Sequence, residues 1–213
     1  MRRQPIVGVM GGGAADAATL ALAREVGRRL AAGGALLLCG GRGGVMEAAA
    51  RGAHEGGGRV IGVLPFAPGE GEPNPFVDCA LFTGLGDGRN YVNAHTSDVL
   101  IALRGGPGTL SEIALALKLG VPVVLLDAWE LLAGQPALGD TPSVHVRSPA
   151  DAVAAAFRLI GFAAGGPFEG PFAYPDMPDQ SAAREQLLRF LELQGRPPRG
   201  RRGGSGGPPP DSE

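Results

Sequence analysis

Short apolar runs alternate along the chain with longer segments whose apolar residues recur at helical spacing. The runs predict buried strands at residues 5–10, 35–39, 59–64, 79–82, 98–103 and 122–126. Most of them are apolar without alternation, which is typical of parallel strands covered on both faces. The periodic segments predict helices at about residues 15–32, 45–55, 89–96 and 110–119. Together they predict an α/β fold: a doubly wound, mostly parallel, Rossmann-like sheet with helices on both faces.

The alternation weakens in the last third of the chain. Residues 143–147 predict an edge strand, and Ser148, Pro149 and Asp151 predict the start of a helix that runs to about Ile160. Serine is a favoured N-cap, proline fits the first helical position, and an acid in the first turn suits the helix dipole. We assign residues 1–162 to one Rossmann-like domain, residues 163–194 to a loop and helix extension, and the Gly/Pro/Arg-rich residues 195–213 to a disordered tail.

Glycine is the outlying feature of the composition. It supplies 37 of the 213 residues, against roughly 7% in an average protein. Many of these glycines form clusters at residues 11–13, 40–44 and 105–108, each directly after a predicted strand and before a predicted helix. In open parallel sheets, ligands bind beyond the carboxyl ends of the strands, and amides at helix N-termini favour anions. The clusters therefore predict a site for a phosphorylated small molecule.

Charge and cysteine content exclude several classes of protein. The formal net charge of −2 argues against broad nucleic-acid binding. Two cysteines, Cys39 and Cys79, cannot build a disulfide framework, and without a Cys/His cluster they predict no metal site. No segment approaches the roughly 18 uninterrupted apolar residues of a membrane span, and the charged start does not match a signal peptide. We therefore expect a cytoplasmic protein without a membrane partner.

The third glycine cluster carries the most chemistry. It extends from Arg104 through Gly105, Gly106, Gly108 and Thr109, and a helix containing Glu112 follows. The amides of this loop could cradle a phosphate while the threonine donates its hydroxyl. Thr109 and Glu112 also match a capping box with the threonine as N-cap. Capping does not require three glycines and a proline, however, so we favour a ligand-binding loop.

The other two clusters add weaker signals. Gly11 and Gly12 lack the spacing of the dinucleotide fingerprint, and Cys39 stands where an acid would hold a ribose, so a classical NAD site is disfavoured. The second cluster places Arg42 beside amides that already favour an anion. Glu47 suits either the dipole of the following helix or a direct contact with the ligand. Further candidate ligand contacts in this cluster are Gly41, Gly43 and Gly44.

The segment from Gly105 to Glu112 resembles the Pro-Gly-Gly-x-Gly-Thr-x-x-Glu signature of the Lonely Guy proteins. Residues 40–46 are similar to their Gly-Gly-Gly-x-x-Gly-Leu-Met loop, and the resemblance spans about Ile6 to Leu126. Those proteins are Rossmann-like phosphoribohydrolases, often mislabelled lysine decarboxylases, that release a free base from a nucleoside 5′-monophosphate. The stretches Gly-Gly-Val-Met-Glu, Arg-Asn-Tyr-Val-Asn and Gly-Thr-Leu-Ser-Glu are similar to a prokaryotic branch that includes molybdenum-cofactor carrier proteins.

The resemblance implies catalytic roles for Glu112 and Arg89. The carboxylate would stabilise an oxocarbenium-like state and orient water, and the arginine would hold the phosphate or the departing base. Asn93, on the same predicted helix as the arginine, could reach the ligand or lie on the helix surface. Three positions depart from the family pattern: Asn90 replaces a lysine, Arg104 replaces the leading proline, and Ser111 replaces an acid.

Two functions lead at this point, ahead of a third, a ligand-sensing module whose tail recruits a partner. One is hydrolysis of a nucleoside 5′-monophosphate, which requires no cofactor; the alternative is a non-catalytic carrier with molybdenum cofactor, a pterin nucleotide, as its cargo. The arginines at positions 42, 89 and 104 suit a strongly anionic ligand. Lysine decarboxylase activity is disfavoured because Lys118, the single lysine, lies in a predicted helix without a pyridoxal-phosphate pattern around it. The resemblance also implies a homo-oligomer, a dimer or a tetramer.

Overall fold

The computed structural model describes residues 4–128 and 141–162. Seven strands form one parallel sheet: β1 (Ile6–Met10), β2 (Leu36–Cys39), β3 (Val60–Leu64), β4 (Cys79–Phe82), β5 (Val99–Ala102), β6 (Val123–Leu126) and β7 (Ser143–Val146). Their order across the sheet is β4-β3-β2-β1-β5-β6-β7, and all neighbours pair in parallel. The extension and tail predicted from residue 163 onward lie outside the described residues.

Four helices of the described residues connect strands, namely α1 (Ala17–Ala32), α2 (Val45–Glu55), α3 (Arg89–Thr96) and α4 (Pro107–Lys118), and a fifth, α5 (Pro149–Leu159), follows β7. A short 3-10 turn, Gly86–Gly88, leads directly into α3. Helices α1, α2 and α5 pack on one face of the sheet, and α3 and α4 pack on the other. The predicted doubly wound, Rossmann-like fold is confirmed. None of the helices within the described residues is long and apolar enough to cross a membrane.

The central strands bury side chains on both faces of the sheet. In β5, Val99 and Ile101 join the core beneath α1, α2 and α5, whereas Leu100 and Ala102 join the core beneath α3 and α4. Successive side chains of a strand point to opposite faces, so a sheet covered on both sides needs apolar residues at every position. This requirement explains the uninterrupted hydrophobic runs in the sequence.

Two helix starts show what the sequence pattern captures and what it misses. Ser148 caps α5 as predicted, because its hydroxyl accepts a hydrogen bond from the N–H of Asp151 at 3.1 Å. The alternative that the sequence left open, a capping box with Thr109 as N-cap, does not form. Helix α4 begins at Pro107 with Gly106 as its N-cap, so the threonine lies within the first turn. Proline is pre-organised for the first helical position and loses no hydrogen bond there.

Helices α1 and α2 pack backbone against backbone at two glycines. A Cβ added to Gly52 would lie 2.7 Å from the carbonyl carbon of Arg24, and one added to Gly27 would lie 2.9 Å from that of Ala49. Glycine within a helix costs roughly 0.5–1 kcal/mol relative to alanine. The close approach of the two helices accounts for its use at both positions.

Candidate ligand-binding site

The order in which successive strands are added to the sheet reverses between β1 and β5. The chain leaves β1 toward a helix on one face and leaves β5 toward a helix on the other, which opens a crevice at the carboxyl ends of the strands. A pocket of about 420 Å³ occupies this place, within the roughly 300–1,000 Å³ of small-molecule sites. Its lining residues are Met10, Gly11, Gly12, Gly13, Arg42, Gly43, Met46, Asp87, Arg89, Asn90, Gly106, Gly108, Thr109 and Glu112.

Backbone contacts tie the three glycine clusters together. The N–H of Gly12 donates to the carbonyl of Arg104 at 3.1 Å, and its own carbonyl accepts from the N–H of Val45 at 3.0 Å. A Cβ added to Gly11 would lie 2.7 Å from that of Val45, so a side chain there would separate the loops. The glycines therefore bring three loops to one place as well as lining the pocket.

The N-terminus of α4 offers hydrogen-bond donors to an anion. The first N–H groups of a helix have no partner inside it, and the helix dipole favours negative charge there. Pro107 has no N–H, so the amides of Gly108 and Thr109 remain available in this first turn, and the threonine hydroxyl adds a third donor. Arg42, which is exposed, also lines the pocket. This part of the pocket suits a phosphate.

Arg89 is half-buried in the pocket wall. Its Nη1 donates to the carbonyl of Val63 at 3.2 Å. A Cβ added to Gly40 would lie 2.7 Å from the Cζ of Arg89, so this glycine leaves space for the guanidinium. Burial lowers the pKa of Arg89, an effect that the nearby carboxylate of Glu112 opposes. No carboxylate of the described residues lies within ion-pair distance of Arg89, which favours an anionic ligand as its partner.

Glu112 lies at the floor of the pocket and is only 5% exposed. Its Oε1 accepts a hydrogen bond of 2.7 Å from Nδ2 of Asn93, which is fully buried. Burial raises the pKa of Glu112 above the ordinary range, although the Asn93 hydrogen bond and the Arg89 charge act against this rise. Asn93 therefore orients the carboxylate from behind and does not itself line the pocket.

Replacing Glu112 by glutamine is expected to stabilise the protein at neutral pH. Since the folded-state pKa is raised, the contribution of Glu112 to stability is present at low pH and is lost as the pH rises through that pKa. We expect the free energy of unfolding at pH 7 to increase by about 0.5–2 kcal/mol, as is common when a buried functional charge is removed. The gain should disappear below about pH 4, where the wild-type carboxyl is protonated in both states.

Urea denaturation of both proteins at pH 4 and pH 7 measures this difference. Glu72→Gln is the matched control, because Glu72 is exposed and lies outside the pocket; we expect no effect from it. A loss of stability at pH 7 in the Glu112→Gln variant would show instead that Arg89 and Asn93 stabilise the ionised carboxylate.

Several predicted ligand contacts lie outside the pocket lining. Arg104 pairs with Asp127 at 2.9 Å and approaches Asp16 at 3.8 Å. Gly44 and Glu47 line a separate groove beside α1. Gly41 and Gly105 shape the loops: the first has a φ of 70°, and a Cβ on the second would overlap the side chain of Thr109. The ligand-binding roles of these residues, and of Asn93, remain predictions.

The pocket also contains residues that the sequence did not indicate as ligand contacts. They are Met10, Met46, Asp87 and Asn90, whereas Gly13 belongs to the first glycine cluster. Asp87 stands two residues before Arg89, and its nearness in the sequence to that arginine was the available signal for it. No group of three or more His, Cys, Asp or Glu side chains that could hold a metal ion occurs in residues 4–128 and 141–162.

Comparisons with known proteins give a consistent result. The model of the SLOG cluster4 family matches residues 4–153. An uncharacterized protein of Archaeoglobus fulgidus is 45% identical over 128 residues, which are 60% of this chain and 83% of that one. The solved structure of the molybdenum cofactor binding protein of Rippkaea orientalis is 41% identical with a TM-score of 0.68, covering 74% of this chain and 98% of that one. The solved structure of the molybdenum cofactor carrier protein of Chlamydomonas reinhardtii is 41% identical with a TM-score of 0.68. The match covers 75% of this chain and 99% of that one.

Proposed function

The chain belongs to the SLOG cluster4 family, and from this premise we propose that its pocket carries a phosphorylated pterin of the molybdenum-cofactor class. The resemblance inferred from the glycine-rich motifs is confirmed at the level of the family and of its carrier-protein branch. The main support for this proposal is the 41% identity to two solved proteins that are named for binding or carrying molybdenum cofactor. Each of those proteins is covered over at least 98% of its length.

The chemistry of the pocket fits such a cargo. The amides of Gly108 and Thr109, the threonine hydroxyl and the Arg42 guanidinium are donors suited to a phosphate. Arg89 adds a second cation that has no ion-pair partner among the described residues. A volume of about 420 Å³ leaves room for a heterocycle beside the phosphate.

Two features favour a carrier over a hydrolase. The lysine that accompanies the catalytic arginine in the Lonely Guy motif is Asn90 in this chain. The acid that precedes the glutamate in the same signature is Ser111 in this chain. Both features reduce catalytic capacity and leave the phosphate donors in place.

Copurification tests the carrier proposal. The full chain, expressed in a host that makes molybdenum cofactor, is expected to retain molybdenum and a pterin that becomes fluorescent on oxidation, at close to one per chain. Arg42→Glu is the variant expected to lose the pterin and the molybdenum, because the reversed charge should repel the phosphate. The fold should survive, since this side chain is exposed. Wild-type protein free of both pterin and molybdenum would contradict the proposal.

Hydrolysis of a nucleoside 5′-monophosphate is the second candidate function. The presence of Glu112 and Arg89 in one pocket favours it. Incubation with AMP and the other nucleoside monophosphates, followed by assay of free base and ribose 5-phosphate, tests this activity. Product that disappears in the Glu112→Gln variant would support the hydrolase, whereas binding without product would reject it.

A further inference from the structure

Asp87 and Asn90 enter the same pocket from one short segment. Asp87 belongs to the 3-10 turn, and Asn90 lies in the first turn of α3. Gly88 and Arg89 between them have helical dihedral angles, so the backbone is helical throughout. Residues three apart in such a backbone lie on the same side. The two polar side chains are therefore neighbours on the pocket wall.

The hydrogen bonds of Asn90 define which of its amide atoms remains for a ligand. Its Nδ2 donates to Oγ of Ser111 at 2.8 Å, and that hydroxyl donates to the carbonyl of Gly108 at 2.7 Å. Within the described residues no donor reaches Oδ1. Asn90 therefore offers an acceptor to the ligand, as does the carboxylate of Asp87, which can only accept.

An acid in this pocket requires an explanation. The pocket suits an anion, and Asp87 repels one. Its charge is close enough to Arg89 to act on the pKa of that guanidinium. Its position is favourable for binding only if the ligand also carries N–H donors, which a carboxylate accepts strongly. The polar groups of the pocket thus comprise donors suited to a phosphate and acceptors suited to another part of the ligand.

We propose that Asp87 and Asn90 recognise the adjacent ring N–H and exocyclic amine of a 2-amino-4-oxo heterocycle, the edge shared by pterins and guanine. This inference rests on the proposed function, because it assumes that the phosphate occupies the donors at α4. Hypoxanthine lacks the exocyclic amine, and adenine offers an acceptor beside its amine. Both bases leave at least one of the acceptors without a partner, which costs affinity.

Equilibrium titration of the full chain with GMP, IMP and ribose 5-phosphate tests this recognition. GMP serves as a stable probe that combines a phosphate with the 2-amino-4-oxo edge. We expect it to bind about tenfold more tightly than IMP, since one charge-assisted hydrogen bond at a partly exposed site is worth about that ratio. Equal affinities for GMP and IMP would overturn the proposal.

The Asp87→Asn variant tests whether Asp87 is responsible for the preference for GMP over IMP. Asparagine has nearly the same size but offers a mixed donor and acceptor, so the GMP-to-IMP affinity ratio should fall to about one. Binding of ribose 5-phosphate should be unchanged or slightly stronger, because a negative charge has been removed. Glu72→Gln removes an exposed carboxylate outside the pocket and should leave the ratio as in the wild type. An unchanged ratio in Asp87→Asn would contradict the assignment.

The probes distinguish failure of this inference from failure of the proposed function. If ribose 5-phosphate binds and the two nucleotides bind equally well, the pocket is a phosphate site that does not read the heterocycle. If none of the three phosphorylated probes binds, the pocket is not a phosphate site, and the carrier proposal fails together with the recognition proposal.

Discussion

Replacing Arg89 by methionine is expected to weaken the binding of GMP by about 100-fold. Arg89 is the half-buried cation of the pocket, and within the described residues no carboxylate forms an ion pair with it. A hydrogen bond to a charged group contributes up to about 3 kcal/mol, and 1.4 kcal/mol corresponds to a factor of ten in affinity. Isothermal titration of the purified variant measures the loss.

The controls for this variant separate charge from fold. Arg158→Met removes an exposed arginine of α5 that does not line the pocket, so GMP should bind as in the wild type. Arg89→Lys keeps the charge but loses the planar guanidinium, and we expect an intermediate affinity. Wild-type affinity in Arg89→Met, with an unchanged fold by circular dichroism, would place the anion elsewhere.

Replacing Gly52 by valine is expected to lower the free energy of unfolding by about 3 kcal/mol. The added side chain would overlap the backbone of Arg24, which cannot move unless α1 separates from α2. Overpacking of a core typically costs about 1–3 kcal/mol, and a backbone obstacle places this site at the upper end. The melting temperature should fall by roughly 6–12 °C.

Gly108→Ala is the matched control, because Gly108 also lies in a helix but no atom lies within 4 Å of an added Cβ. We expect this variant to be as stable as the wild type or more stable by up to about 1 kcal/mol. If Gly52→Val and Gly108→Ala have equal stabilities, the close packing of α1 and α2 does not limit the stability of the fold.

The fold could be predicted from the sequence because its elements are locally encoded. Every strand buried on both faces produces an uninterrupted apolar run, and α3 is found at the predicted residues. The start of α4 was predicted at Leu110 but lies at Pro107. Its N-cap is Gly106, which has no side chain that could mark the position in the sequence.

The part of the site that could be predicted from the sequence is the part formed by backbone groups of the glycine-rich loops. Glycine clusters after strands are visible in a sequence, and all three reach the crevice. Side-chain partners are not visible: Arg104 and Arg89 look equally suited to an anion, yet the former pairs with Asp127, which follows the neighbouring strand. Asn93 supports the Glu112 carboxylate and does not line the pocket, and Asp87 lines the pocket without having been predicted. Both placements depend on how α3 packs against α4, which the sequence does not reveal.

The pairing of β1 with β5 also determines when the pocket can form during synthesis. The N–H of Ile6 is held by Oδ2 of Asp98 at 2.8 Å, across 92 residues of chain, and the loop after β1 binds the carbonyl of Arg104. At translation rates of about 5–20 residues per second, the first glycine loop waits at least about 5 s for its partners. A ligand therefore cannot bind in this pocket to an early nascent chain, because the pocket forms only after the central sheet is complete.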